Sequence, residues 1–271
     1  MSATKTKKMP AVYLPHGGGP WNIMDQPWGE PDSLARLTKY LQGLPNVPAE
    51  KPRAALVISA HWEEDVATVL TAARPPMLYD YYGFPEHTYK VQWPAPGAPD
   101  VAARVAELLD GAGVKVASAP ERGFDHGTFV PMMVAYPKAD IPTVQLSLVK
   151  GLDPEAHLAL GRALAPLREE GVYIVGSGMS FHNMRAFKSN NGGAMSKPFD
   201  DWLAETVALP KSDREARLAK WATAPGAREA HPREEHLLPL MVVAGAAGND
   251  AGQVPYRDTL MSARILAAHF G

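Results

Sequence analysis

Five histidines stand where a chain could use them for chemistry. His16 lies in PHGGGP, directly after the apolar run 11–14. His61 lies in SAHW after the run 54–60, and His182 lies in SGMSFHN after the run 172–176. His126 sits in GFDHGTF, and His236 sits in HPREEHLLPL at the start of an apolar helical pattern. Imidazole is the common nitrogen ligand for iron and zinc, and its ordinary pKa of about 6.5 suits proton transfer near neutrality. The chain has no cysteine. That removes disulfides, thiolate metal sites and a cysteine nucleophile, so a metal must be held by nitrogen and oxygen. None of the spacings forms a compact motif such as H-E-x-x-H, and a site must therefore be assembled from distant segments. The remaining histidines read as structural. His157 is expected on the solvated polar face of a helix and His269 at the exposed surface. His87 and His231 are expected to serve packing more than a pocket.

The elements that would carry these side chains follow from the apolar pattern. Short β-branched runs at 11–14, 54–60, 66–71, 114–117, 141–148 and 172–176 read as buried strands. Helical patterns lie between and after them, at 98–110, 154–170, 198–209, 213–221, 234–247 and 259–269. The first places Val101, Val105, Leu108 and Leu109 on one face and stops at Gly111 or Gly113. The second has Asp153 as N-cap and Pro154 in its first turn. Strands alternating with helices predict an α/β sheet covered by helices on both faces. In such sheets ligands bind beyond the carboxyl ends of the strands, which is where His16, His61 and His182 fall.

Composition limits the partners. The chain has 271 residues, 46 % hydrophobic and 21 % charged, with a net charge of −2. That is an ordinary globular balance for one large domain, without the field that draws in nucleic acid or an anionic membrane. No apolar run approaches the roughly 18 residues of a membrane span, and a cytoplasmic location is expected. Residues 1–9 read as a disordered tail and 10–271 as a single domain. A homo-oligomer stays open.

The blocks LPHGGGP, VISAHW, GFPEHTY, WPAPGAP, GFDHGTFVPM, DIPTVQLSL, SGMSFHN and EEHLLPL occur in this order. Together they resemble the 4,5-DOPA extradiol dioxygenase-like family of the class III ring-cleaving dioxygenases, from about residue 10 onward. The resemblance implies a central mixed β-sheet flanked by helices, with a metal in a cleft. It implies that His16, His61 and His236 match metal-ligand positions. His182 matches a position used as a zinc ligand in some members and as the acid–base histidine in others, and His126 matches a second histidine lining the active site. Relatives in the wider class use a glutamate as third ligand, so Glu235 competes with His236. The first motif of close relatives commonly reads HGSP, where this chain has HGGGP.

The expected reaction is extradiol cleavage of a catechol by O2 to a ring-opened semialdehyde. Fe(II) is the expected cofactor, and Zn(II) can occupy the same ligands in purified protein. His182 is expected to act as acid–base with help from His126. Trp62, Phe84 and Tyr89 are candidates to stack on the ring, with Trp93 as a further aromatic and Arg185 or Lys188 as partners for a carboxylate. Two other readings compete: a zinc hydrolase, and a non-catalytic Memo-like binding protein on the same fold.

Overall fold

The computed structural model of the protein describes residues 7–189 and 191–271. The six apolar runs become β1 (Ala11–Pro15), β2 (Ala54–Glu64), β3 (Ala67–Leu70), β4 (Val116–Ala119), β5 (Thr143–Val149) and β6 (Val172–Gly178), and two further strands follow, β7 (Gly252–Leu260) and β8 (Ala263–Phe270). They form one eight-stranded sheet in the order β4-β3-β5-β2-β6-β1-β8-β7. The central four, β5, β2, β6 and β1, run parallel. Both of their faces are covered, which is why they read as unbroken apolar runs and not as alternating ones. β3 and β8 flank this core in antiparallel pairing, so the sheet is mixed.

Among the described residues the helices are α1 (Pro31–Gly43), α2 (Pro99–Gly111), α3 (His126–Ala135), α4 (Pro154–Leu164), α5 (Met184–Ser189), α6 (Gly192–Val207), α7 (Lys211–Ala219), α8 (Ala227–Ala230) and α9 (Leu238–Ala247). The α/β expectation is met. Asp153 caps α4 by accepting from Glu155 N at 3.0 Å. The pattern that extended to 170 ends at Leu164 and tightens into a 3-10 turn, Ala165–Arg168. Pro166 explains the stop, since it offers no backbone N–H to continue an α-helix. Every residue of α9 is buried, as a helix apolar all round must be.

One element differs in kind. Residues 259–269, expected as a helix, form the end of β7, a turn and β8. Met261 and Ser262 adopt positive φ of 49° and 64°, the left-handed geometry that reverses a hairpin. Glu30 holds that turn by accepting from Met261 N at 3.1 Å and Ser262 N at 3.0 Å. β8 lies between β1 and β7, and its apolar run is a buried strand's. The expected tail also stops short. Met9 is buried, donating from its N to Arg168 O at 2.8 Å, while its carbonyl accepts from Arg168 Nε at 2.6 Å. The first six residues of the tail lie outside the described residues.

Candidate metal centre and active site

The strand ends lie level. Pro15 pairs with Gly178, and Ser177 pairs with both Leu14 and Ser59. His16 follows β1, and its N donates to Gly178 O at 3.1 Å. Gly17 then turns the chain at φ 85°, where an added Cβ would sit 2.2 Å from Trp21 Nε1; only glycine fits that backbone. His61 lies inside β2, not after it. The pairing of β2 with β5 shifts between Ile58 and Glu63, a bulge of the kind that re-aims a side chain. His236 precedes α9, and its carbonyl accepts from Tyr13 Oη at 2.8 Å and Met179 N at 3.1 Å. Gly178 permits that approach, since a Cβ there would be 2.1 Å from His236 O.

His126 opens α3 behind its N-cap, Asp125, which accepts from Thr128 N at 3.2 Å and Ser59 Oγ at 2.7 Å. Pro131 cannot donate to the Gly127 carbonyl within this helix. Ser177 Oγ donates to it instead and ties α3 to β6.

These elements bring His16, His61 and His236 together. His61 Nε2 lies 3.2 Å from His16 Nε2 and 3.3 Å from His236 Nε2. His16 Nδ1–H donates to Gly17 O at 2.9 Å, and His236 Nδ1–H donates to Glu235 Oε1 at 2.9 Å. Both therefore turn an Nε2 lone pair toward His61, whose Nε2 has at most one proton to share. Two nitrogens held about 2.1 Å from one ion, about 90–110° apart, lie about 3.0–3.4 Å from each other. The spacing and the surplus of lone pairs fit a cation, and neutral nitrogen donors suit iron or zinc. Burial, reinforced by the neighbouring imidazoles, holds all three rings well below the ordinary histidine pKa. They are thus neutral, as ligation requires.

Two other groups place three ligand atoms within 4.8 Å: His61, Asp80 and His126, and His182, Glu235 and His236. In both, the carboxylate is already an acceptor for histidine Nδ1–H groups, the arrangement that orients a ligand. Glu235 Oε1 accepts from His182 Nδ1 at 3.1 Å as well as from His236. It lies behind His236, on the side of the ring away from His61, so the geometry favours His236 over Glu235 at the centre. His182 stacks on His236 with ring centroids 3.4 Å apart, but it is not in the set formed by His16, His61 and His236. Asp80 Oδ1 accepts from His126 Nδ1 at 2.8 Å and from His126 N at 2.9 Å, and its Oδ2 lies 3.9 Å from His61 Nδ1.

Above the histidines opens a cavity of about 470 Å³, lined by all five of them and by Asp80, Tyr81, Phe84 and a set of apolar side chains. A wider surface groove of about 610 Å³ near Pro45 and Tyr136 presents no histidine.

Phe84 lines the cavity as expected, but Trp62 and Tyr89 do not. Trp62 alternates with His61 along β2 and points elsewhere, donating Nε1–H to Glu64 at 2.7 Å beneath the Arg122 guanidinium. Tyr89 packs behind Tyr81, and its hydroxyl accepts from Phe84 N at 3.3 Å. Trp93 is core, donating to Tyr136 O at 2.9 Å. Arg185 is exposed and away from the cavity lining, and the Lys188 side chain lies outside the described residues.

His157 is a correction. It is buried, with Nδ1–H on Asp153 O at 2.7 Å and Nε2 accepting from Val149 N at 3.2 Å. His269 is only partly exposed and meets Tyr40 Oη at 2.8 Å. His87 and His231 are structural as expected, bonded to Ile23 O and Ser180 O. Sequence reasoning missed Asp80, although an acid set between tyrosines in MLYDYYGFPEH was a signal. It also missed Glu235 as a shared acceptor, which only the fold reveals.

A mixed sheet that delivers neutral imidazoles to the floor of a walled cavity defines an α/β protein with a candidate metal centre. The chain belongs to the family of the catalytic LigB subunit of aromatic ring-opening dioxygenase, whose model matches residues 9–267. It is a ring-cleaving dioxygenase, acting on a small aromatic molecule and O2. The dioxygenase tasH of Hapsidospora irregularis is 37 % identical over 285 residues, covering 100 % of this chain and 88 % of that protein. The 4,5-DOPA dioxygenase extradiol of Beta vulgaris is 44 % identical over 207 residues, covering 75 % and 76 %. The protein of the same name from Escherichia coli K12 is 35 % identical over 250 residues, covering 91 % and 87 %. The crystal structure of an uncharacterised protein of Escherichia coli K12 superposes with a TM-score of 0.78 at 31 % identity, covering 97 % of this chain and 100 % of that one. Among the described residues no helix is long and apolar enough to cross a membrane.

Proposed function

We propose that residues 10–271 act as one catalytic domain that cleaves a catechol beside its hydroxyls with O2. The cofactor is Fe(II) on His16, His61 and His236, and the product is a ring-opened semialdehyde. The observation that carries this reading is the convergence of the three Nε2 atoms, two of them with lone pairs fixed by Nδ1–H bonds. The catechol class comes from the relatives named for 4,5-DOPA. A redox-active metal supplies electron exchange between catechol and O2, which zinc cannot do. Family membership weighs against the hydrolytic and non-catalytic readings.

The chain's own groups do the rest. His182 takes a hydroxyl proton from the bound catechol and later returns it. The Glu235 carboxylate on its Nδ1 fixes the ring and stabilises the imidazolium. His126, held by Asp80, keeps its Nε2 available for a hydrogen bond to substrate. Phe84 and the apolar wall exclude water from the reacting groups.

Metal content tests the ligand set. His16→Ala, His61→Ala and His236→Ala each lose Fe(II), because each removes a direct nitrogen. Glu235→Ala retains the metal with an affinity about 10–100-fold weaker, the usual cost of losing an orienting partner. Metal retained in His236→Ala but lost in Glu235→Ala would reverse the assignment.

A further inference from the structure

We infer that the substrate is a catechol whose ring substituent is apolar and uncharged, an inference that rests on the catechol-cleaving reading above. With the hydroxyls at the histidine floor, the substituent must point to the cavity mouth. That wall is Trp28, Phe84, Met179, Met184, Phe187 and Met261. Trp28 and Phe84 lie against each other at 5.0 Å between ring centroids.

Apolar exposure on this molecule is concentrated at the same place. The large hydrophobic side chains that stand exposed among the described residues are Trp28 (48 %), Tyr82 (91 %) and Met184 (45 %), and all of them line this cavity. An exposed apolar patch confined to a pocket rim marks what the pocket takes, and flexible methionines let such a wall fit substituents of differing shape.

Charge points the same way. Among the described side chains lining the cavity there is no lysine or arginine, and the carboxylate present is Asp80. Arg122 is engaged with Asp125 and Arg233 with Glu63, and Arg185, next to the rim residue Met184, does not line the cavity. Against the described lining a substrate carboxylate would give up ionic hydration without gaining a cation, whereas an alkyl or aryl group would lose nothing polar and an ester only the weaker hydration of a neutral carbonyl.

The test compares 3,4-dihydroxyphenylacetate with its methyl ester, which share ring and reach but differ in charge. Binding to the Fe(II)-loaded protein is measured by anaerobic calorimetry and turnover by O2 uptake. The ester is expected to bind at least about tenfold more tightly and to show a kcat/KM higher by at least about tenfold. Met184→Arg, which brings a guanidinium to the rim, should shrink both ratios. Equal or tighter binding of the acid by the unaltered protein overturns the inference. If the ester is preferred in binding but neither compound is opened, the pocket inference stands and the catechol-cleaving reading falls.

Discussion

His182 and His236 share one carboxylate oxygen of Glu235 but are assigned different work. His236 has its Nε2 at 3.3 Å from His61 Nε2, while His182 stands beside it over the cavity. His182→Ala is therefore expected to keep its iron and still bind catechol, while kcat falls by roughly 10²–10⁴-fold, the worth of a positioned acid–base. Elemental analysis and single-turnover kinetics on one preparation check this, and loss of iron would make His182 a ligand and pass the proton to His126. The five histidines were legible in sequence because His16 and His182 follow strands, His126 and His236 stand at helix starts and His61 lies in the carboxyl-terminal part of β2, where open α/β sheets build sites. Side chains that act through space were not. Asp80 accepts from His126, which is distant in sequence, and although its place among tyrosines marks it, the spacing does not name that partner. His157 misled for another reason: its bonds to Asp153 O and Val149 N are local. A satisfied buried polar group looks, in a helical pattern, like a solvated one. Trp62 misled because neighbours on a strand face opposite ways.

Among the elements, β8 was misread and has a measurable consequence. Its run of alanine, leucine and isoleucine fits a helix as well as a strand buried between two others, and the turn before it carries neither glycine nor asparagine. The left-handed backbone at Met261 and Ser262 is stabilised from a distance by Glu30, so the local sequence carries no hairpin signal. On β8, His269 meets Tyr40 of α1, and burial pushes its pKa down to about 4. The sign follows from a lowered value. Below about pH 6.5 the unfolded chain takes up a proton that the folded chain refuses, so stability falls with pH until the folded group itself titrates near 4. At about 1.4 kcal/mol per unit, His269 makes the protein about 2 kcal/mol less stable at pH 4.5 than at pH 6.5. His269→Gln keeps a hydrogen-bonding side chain and removes the titration. Urea melts at the two pH values should show that the variant loses less stability than the parent by about that amount. Equal losses would place the acid sensitivity elsewhere.

At the scale of the molecule, the site depends on both ends of the described chain. β1 carries His16 and is paired on one side with β6 and on the other with β8. Arg168 fastens this region from within, donating to Met9 O, Ala246 O, Phe270 O and Asp250. The α/β class was legible because parallel central strands must read as short unbroken apolar runs separated by amphipathic helices. The order of strands was not, because pairing is set by packing between distant segments. The cavity wall was not legible either, since Trp28, Met184 and Met261 come from three separate loops and helices. The central claim is that this scaffold uses iron to put both atoms of O2 into an aromatic ring. The most direct measurement follows O2 uptake and product mass together in Fe(II)-loaded protein given a neutral alkylcatechol. The expected result is one O2 consumed per catechol, a product whose mass equals substrate plus O2, and no turnover when zinc replaces iron. Equal turnover with zinc, or no O2 uptake by the iron form across neutral and acidic catechols, would contradict it.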